Sequence, residues 1–341
     1  MRKSSETIDY SFYSNPYQYD WFFEKFRNIY SWDYCNLAIL EKFYLAINSR
    51  LEVSDELLQE IHSYILDDSY LFLYYETLFI LMIQTRDYCS AEEYLQKASN
   101  LAAKIDIPGL KGLMEYHAVT ISIRLRKPGK ALALFDSAFI DLQKAGAFKR
   151  LTFLESYKGI IYETMQLYPE AEAIFMNLKN KIVQLQIPFF ERAIHENLSW
   201  LYLKWGKYDL CLQAGKTARK MNSRYPDVGI AMVYAAMKSG KYEDSENILV
   251  SEILMCRKLK TDQSAFVLQV LLLIKNIYEN KEQQIEHTLK TIFSRIDLFK
   301  NVEAELVIYP LLIEFYRNKQ NADLDHYYSD CYVKYLSQGF N

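Results

Sequence analysis

The nearest approach to a catalytic motif in this sequence is the pair His195 and Glu196. An HExxH zinc site needs a second histidine one helical turn after the first, and Ser199 stands at that position. The five histidines are isolated in sequence, and there is no GxSxG turn and no glycine-rich phosphate loop. No carboxylate pair stands out from the ordinary charges of helix surfaces. The sequence therefore predicts no enzymatic activity, no metal site and no cofactor.

A second set of residues has the chemistry to hold an extended chain. An asparagine side chain can donate to a peptide C=O and accept from its N–H, whatever the peptide sequence. Arginine and lysine can hold a carboxylate, while tyrosine and tryptophan provide rigid anchors. Residues of these types recur along one face of several predicted helices. For each aromatic residue among them, the alternative to ligand binding is packing in the core. The candidate peptide-binding residues are Tyr116, Thr120, Arg124, Ser156, Glu163, Asn197, Trp200, Lys204, Tyr234 and Lys238.

The elements that must position these residues are clearest between Glu196 and Met221. One apolar helical stripe precedes a Gly-Lys-Tyr turn and a second stripe follows it, which predicts a helix hairpin. The small residues after the turn allow the two helices to lie close together. The stretch resembles a tetratricopeptide repeat (TPR) in four residues, namely Gly206, Tyr208, Cys211 and Ala218.

The small-residue position of the second helix recurs along the chain. It falls at Ala91, Ala131, Ala171, Cys211, Ser245, Ile285 and Leu324, which are 40, 40, 40, 34, 40 and 39 residues apart. A fixed interval of this kind is typical of stacked helix hairpins. Gly159 precedes Ala171 by twelve residues, where a close helix crossing favours a missing Cβ. Pro310 lies in the predicted first helix of the seventh hairpin, so we expect that helix to kink or begin there.

Composition fits a helical protein of this kind. The chain has 341 residues, with ten Gly and seven Pro, and a formal net charge of −3. Few turn-forming residues indicate a nearly all-helical fold, and the balanced charge favours neither nucleic acid nor an anionic membrane. Five scattered cysteines without a CxxC pair predict reduced thiols packed in the core. With no apolar signal segment and no long apolar run, the sequence predicts a cytoplasmic protein without membrane contact.

The sequence therefore predicts an all-α fold in two parts. Residues 1–69 are expected to form a small N-terminal helical bundle, and residues 70–341 a TPR-like repeat domain of about seven hairpins. Such hairpins stack into a right-handed superhelix, whose concave groove is lined by the first helices.

The chain also resembles the Gram-positive peptide-pheromone receptors, which include the Rap proteins and the TPR halves of PlcR-, NprR- and Rgg-type regulators. The segment Leu66–Leu78 looks like the acidic, Tyr-Tyr-containing stretch that joins the Rap bundle to its repeats. Asn197–Tyr202 stands where the family carries N-I-A-N-x-Y, whose asparagines grip the backbone of a bound peptide. Asn197 and Tyr202 match, and Trp200 replaces the second asparagine.

Two departures limit what the resemblance implies. The DNA-reading members begin with a helix-turn-helix, and no convincing one is present here. Rap phosphatases carry a glutamine after the acidic pair, where this chain has Ser69.

Three functional hypotheses remain. The resemblance implies a cytosolic regulatory protein that binds a short signalling peptide and thereby modulates a protein partner; a homodimer is compatible with this role. The first alternative is a non-signalling TPR scaffold for protein–protein interaction. The second is a transcriptional regulator with a divergent N-terminal DNA-binding bundle, although the balanced charge argues against DNA as a partner.

Overall fold

A computed structural model describes residues 68–85, 87–105, 109–185, 188–221, 223, 225–259, 261–299 and 302–337. The predicted N-terminal bundle lies outside these residues, apart from its last two positions. Every regular element in the described ranges is an α-helix, as the sequence predicts. The helices are α1 Asp68–Thr85, α2 Tyr88–Ala102, α3 Leu110–Arg124, α4 Pro128–Lys144, α5 Phe148–Thr164, α6 Tyr168–Leu185, α7 Pro188–Lys204, α8 Tyr208–Lys220, α9 Asp227–Lys238, α10 Tyr242–Leu259, α11 Asp262–Tyr278, α12 Glu282–Phe299, α13 Val302–Asn318 and α14 Ala322–Ser337.

Consecutive helices form seven hairpins, which we number 1 to 7 from α1–α2 to α13–α14. The predicted small positions explain how the two helices of a hairpin approach. Ala91, Ala131, Ala171 and Cys211 have no exposed surface. Gly159 allows the same close approach from the side of the first helix, because a Cβ there would lie 2.7 Å from the Phe175 ring. Helix packing at these points therefore depends on missing side-chain atoms.

Six of the hairpins turn in the same way. The second residue after the first helix adopts a left-handed backbone, with φ between 54° and 75°. In hairpins 3 to 7 the residue after it donates an N–H back to the first helix. This is the Schellman arrangement, in which glycine is the usual left-handed residue. Glycine occupies the position in only two hairpins; the six residues are Arg126, Gln166, Gly206, Gly240, Asn280 and Gln320.

The turn geometry corrects the predicted register of hairpin 7. In hairpins 2 to 6 the small residue follows the left-handed residue by five positions, and in hairpin 7 that places it at Asp325, not Leu324. The N–H of Asp325 donates to the carbonyl of Asn321, as the N–H of Cys211 does to that of Lys207. The prediction was one residue early because neither Gln320 nor Asp325 is a small residue.

The seventh hairpin excludes one of the two outcomes expected at Pro310, namely that the helix begins there. Helix α13 begins eight residues earlier, at Val302, and continues through Pro310. A proline inside a helix removes one backbone hydrogen bond. Here neighbouring side chains hold the helix, because Val307, Ile308, Leu311 and Leu312 are all buried.

The four described cysteines differ in burial, with Cys331 intermediate between the others. Cys211 and Cys256 are buried, and burial raises the pKa of each thiol to about 12. These two are core thiols, as predicted. Cys89 lies exposed on α2, so the prediction of core packing is wrong for this residue.

The chain divides into two compact units. Unit 1 comprises residues 1–125 and 129–157, and unit 2 comprises residues 126–128 and 158–341. None of the helices in the described ranges is long and apolar enough to cross a membrane.

Candidate functional site

In unit 1, three of the four candidate residues direct their polar groups at the protein itself. Tyr116 is buried, with its hydroxyl 3.2 Å from that of Tyr157 and the two rings stacked at 5.4 Å. The hydroxyls of Thr120 and Ser156 donate to backbone carbonyls of their own helices. Arg124 is exposed at the end of α3. The structure thus brings Tyr116 together with Tyr157, which the sequence analysis did not select.

A buried polar pair lies beside Tyr116. His117 Nε2 is 3.1 Å from Glu76 Oε1, and both side chains are almost fully buried. Burial lowers the pKa of His117, and the charge of Arg150 lowers it further, although the Glu76 carboxyl opposes both. The sequence offered one signal for this pair, namely two ionisable residues on the inner side of first helices in neighbouring hairpins.

In unit 2, the first helices of hairpins 5 and 7 pack against each other as well as against that of hairpin 6. Trp200, Tyr234 and Glu314 occupy the same position in their hairpins, eleven residues before the small position. We call the side of unit 2 that carries these residues, together with Asn197 one turn before Trp200, the inner face.

Most inner positions of hairpins 5 to 7 are apolar and buried, although Glu314 in hairpin 7 is exposed. Ala231, Leu271, Ile274 and Leu311 lie at inner positions of hairpins 5 to 7 and are buried against neighbouring helices. The first helices of hairpins 5, 6 and 7 therefore bury these residues against one another, a contact between hairpins 5 and 7 that simple stacking does not predict.

Hairpin 4 also carries polar groups on the inner face. Asn197 is partly exposed on α7. Trp200 is 5% exposed, and its indole N–H is a buried donor with no acceptor among the residues that the structure describes. A buried donor without a protein acceptor is uncommon, and a bound water or a ligand group commonly accepts from such a donor. Asn197 and Trp200 are three residues apart, so they share one face of the helix.

Glu163 and Lys204 form an ion pair between α5 and α7. Burial raises the pKa of Glu163, and Glu303 raises it further, while Lys204 opposes them. Burial lowers the pKa of Lys204, but the charges of Glu163 and Glu303 outweigh this effect and raise it. Glu303 belongs to hairpin 7, so the pair lies where hairpins 3, 4 and 7 meet.

The last two candidates also meet hairpin 7. Lys238 Nζ lies 2.6 Å from a carboxylate oxygen of Glu314 on α13. Tyr234 is buried; its pKa is raised by burial and by the nearby Tyr208, Tyr332 and Glu314. The structure therefore brings Glu163, Lys204, Tyr234 and Lys238 to contacts with the C-terminal hairpin.

Tyr202, which matches the family motif, has a different partner. Its hydroxyl donates to Glu172 Oε1 on α6 at 2.6 Å, and burial together with this hydrogen bond raises its pKa. Tyr202 therefore joins hairpins 3 and 4.

No group of three or more potential metal ligands occurs in the described part of the chain.

Comparisons by sequence find no related protein. No family model matches the chain, and no curated protein matches it.

Solved structures do match it over nearly its full length. A Rap protein complexed with Competence and Sporulation Factor superposes with a TM-score of 0.77 at 14% identity, over 95% of this chain and 97% of that one. Aspartyl phosphate phosphatase F from Bacillus subtilis gives 0.67 at 14% identity, over 95% and 93%. NprR in complex with its cognate peptide NprX gives 0.66 at 16% identity, over 92% and 91%.

This chain has the Rap and NprR fold. The predicted all-α architecture of helix hairpins and the predicted resemblance to these receptors are confirmed at the level of fold. At such low identity the Rap and NprR structures establish no activity or ligand for this chain.

Proposed function

We propose that this protein binds a short, extended peptide at hairpin 4 of unit 2 and thereby modulates a protein partner. The observation that carries the proposal is the buried indole N–H of Trp200 without an acceptor, one turn from the partly exposed amide of Asn197. A peptide carbonyl at this point would accept from Trp200, and Asn197 would pair with the adjacent peptide unit.

The fold supports a peptide as the ligand. Among the matching structures, a Rap protein is complexed with Competence and Sporulation Factor and NprR with its cognate peptide NprX. Asn197 matches the asparagine of the N-I-A-N-x-Y motif, and Trp200 replaces the second one. Both side chains present an N–H donor, so the replacement keeps the capacity to hold a carbonyl while it adds apolar contact area.

The residue at position 69 favours a regulatory role without catalysis. Ser69 stands where Rap phosphatases carry a glutamine, so we propose that the protein does not dephosphorylate its partner. We place it in the cytoplasm, with a protein rather than DNA as the partner, and homodimerisation is compatible with this role. The candidates in unit 1, namely Tyr116, Thr120, Arg124 and Ser156, stay predictions from the sequence.

The experiment begins with a peptide selected on the purified full-length protein from a random heptapeptide library. Its affinity is then measured by calorimetry for the wild type, Trp200→Phe and Asn197→Ala. Trp200→Phe removes the N–H and keeps most of the apolar surface, so we expect a five- to tenfold weaker Kd, about 1 kcal/mol for one hydrogen bond. Asn197→Ala should weaken binding by at least as much.

Matched controls are available on the same scaffold. Asn177 is exposed on α6, and Trp205 is partly exposed at the end of hairpin 4 and stacks on Tyr168. Asn177→Ala and Trp205→Phe should leave the Kd unchanged. If no peptide can be selected, or if Trp200→Phe and Asn197→Ala bind like the wild type, the proposed site is wrong.

The scaffold alternative predicts the same contacts without a response. Hydrogen exchange of unit 2 with and without the selected peptide separates the two. A regulator should show slower exchange in helices that the peptide does not touch, whereas a scaffold should show it at hairpin 4 alone.

A further inference from the structure

The C-terminal hairpin of unit 2 makes contacts that simple stacking does not explain. In a repeat protein each hairpin contacts its nearest neighbours. Here α13 packs against α9, two hairpins away, and Lys238 on α9 pairs with Glu314 on α13. Hairpin 7 therefore folds back across the inner face.

The longest of these contacts joins Arg126 to Tyr335. The Arg126 guanidinium donates to the main-chain carbonyl of Tyr335 at 3.1 Å, and its central carbon lies 4.7 Å from the centre of the Tyr335 ring. Tyr335 is in the last turn of α14 and is 3% exposed. A guanidinium at that point bonds one of the unpaired carbonyls at the helix end and lies over an aromatic face.

Arg126 differs in its contacts from the residues at the equivalent turn positions of the other hairpins. Its φ is 55°, in the left-handed region that costs a side-chain-bearing residue energy and that glycine adopts freely. At the equivalent turn position, Gln166 and Gln320 are exposed, and two hairpins have glycine. Arg126 is partly buried and paired. Because Gln166, Asn280 and Gln320 adopt the same backbone, what distinguishes Arg126 is its pairing with a distant helix.

Other residues of hairpin 7 lie close to hairpins 3 and 4. Glu303, at the start of α13, is close enough to Glu163 and Lys204 to raise the pKa of both. Tyr332, one turn before Tyr335, neighbours Tyr168 and Tyr208, the first residues of α6 and α8. Hairpin 7 thus closes the inner face on the side where hairpins 3 and 4 turn.

We propose that the last turns of α14 form a gate over the inner face, and that the contact between Arg126 and Tyr335 holds this gate closed. The proposal rests on the peptide site at hairpin 4 for its consequence, since Tyr332 on α14 neighbours Tyr234, which occupies the position of Trp200 in the next hairpin. The gate itself depends on contacts within unit 2 alone.

The substitution that tests the gate is Arg126→Gly. Glycine suits the left-handed turn, so the hairpin should fold at least as well, while the contact with Tyr335 is lost. The control is Gln166→Gly, which makes the same change at the equivalent, exposed turn position.

The first measurement needs no ligand. Hydrogen exchange is followed for the amides of residues 328–337 in the full-length protein. Arg126→Gly should speed their exchange about five- to tenfold, whereas Gln166→Gly should leave it unchanged. Equal exchange in Arg126→Gly and the wild type would overturn the gate.

The second measurement uses the peptide selected from the heptapeptide library. Stopped-flow binding should show an association rate about fivefold higher for Arg126→Gly than for the wild type and Gln166→Gly, since the open state is more populated. An unchanged or lower rate means that α14 does not gate the site. If no peptide is found, the proposed function fails while the exchange experiment still decides whether Arg126 holds α14.

Discussion

The carboxylate of Glu252 on α10 lies in the space that a side chain at Gly229 on α9 would fill. A Cβ at Gly229 would come within 2.5 Å of Glu252 Oε2. From this place Glu252 accepts two hydrogen bonds from Arg219, at 2.7 and 2.9 Å. Glu252 stands seven residues after Ser245, a position that alanine fills in three other hairpins, and it is 4% exposed. The absence of a side chain at Gly229 therefore leaves room for the buried ion pair of Glu252 and Arg219.

Gly229→Ala should destabilise the protein by about 2–3 kcal/mol. The added methyl group displaces a buried carboxylate from its bidentate partner, and a buried charge that loses its geometry is costly. Urea unfolding followed by circular dichroism measures the change. Gly129→Ala is the control, because nothing lies within 4 Å of a Cβ at Gly129. An equal effect of the two substitutions would mean that the close approach to Glu252 has no energetic weight.

The turns predict a stabilising substitution. Gln166 has a φ of 62° in the turn of hairpin 3, where Gly206 has 75° in hairpin 4. A left-handed residue with a side chain costs about 1–2 kcal/mol, partly offset by the greater freedom of glycine in the unfolded chain. Gln166→Gly should therefore stabilise the protein by about 0.5–1 kcal/mol.

The reverse substitution provides the comparison. Gly206→Gln should destabilise the protein by a similar amount, with both changes measured as midpoints of thermal unfolding. A Gln166→Gly protein that melts below the wild type would show that the side chain, and not the backbone, decides stability at this turn.

The turns also show why the sequence predicted hairpins 1 to 5 well and hairpin 7 less well. The register rested on small residues such as Ala171 and on the glycine of hairpin 4. Where Gln320 makes the same turn, the backbone is identical but the sequence signal is missing. The repeat could be predicted because burial forces small residues into the helix crossing; the turn could not, because other residues tolerate its conformation at a modest cost.

The site was less predictable than the fold for a different reason. The sequence predicts that Asn197 and Trp200 lie on one face of a helix, and in the structure both lie on α7, three residues apart. Sequence reasoning did not find Arg126, Glu303 or Tyr335, since their contacts arise from hairpin 7 meeting hairpins two or more units away. Nearest-neighbour stacking, on which the prediction relied, contains no information about such contacts.

The buried pair of His117 and Glu76 predicts a pH dependence. Since burial lowers the pKa of His117, the unfolded chain takes up a proton first, at about pH 6.5. The stabilisation is present above that pH and is lost as the pH falls through the folded-state pKa. His117→Gln cannot titrate, so its deficit at pH 7.5, about 1 kcal/mol for an altered buried hydrogen bond, should shrink towards pH 5.

Denaturant titrations at several pH values measure this dependence. His287 is exposed, and His287→Gln should leave the pH dependence as in the wild type. A His117→Gln deficit that stays constant from pH 7.5 to 5 would contradict the assignment of the pH dependence to this residue.

The ion pair of Glu163 and Lys204 predicts that the variant Lys204→Met loses more stability at high pH than at low pH. Lys204→Met leaves the Glu163 carboxyl buried without its cation, so its pKa, already raised by burial, rises further. A raised carboxyl pKa gives stability that is present below about pH 4.5 and is lost as the pH rises through the folded-state value. The Lys204 side chain is 21% exposed, so we expect a loss of about 2 kcal/mol at pH 8, below the range for fully buried pairs. The loss should be much smaller at pH 5.

The double variant Glu163→Leu with Lys204→Met removes the buried charge and should return to within about 1 kcal/mol of the wild type at both pH values. If Lys204→Met loses the same stability at pH 5 and pH 8, the Glu163 carboxylate is not the group that Lys204 keeps ionised.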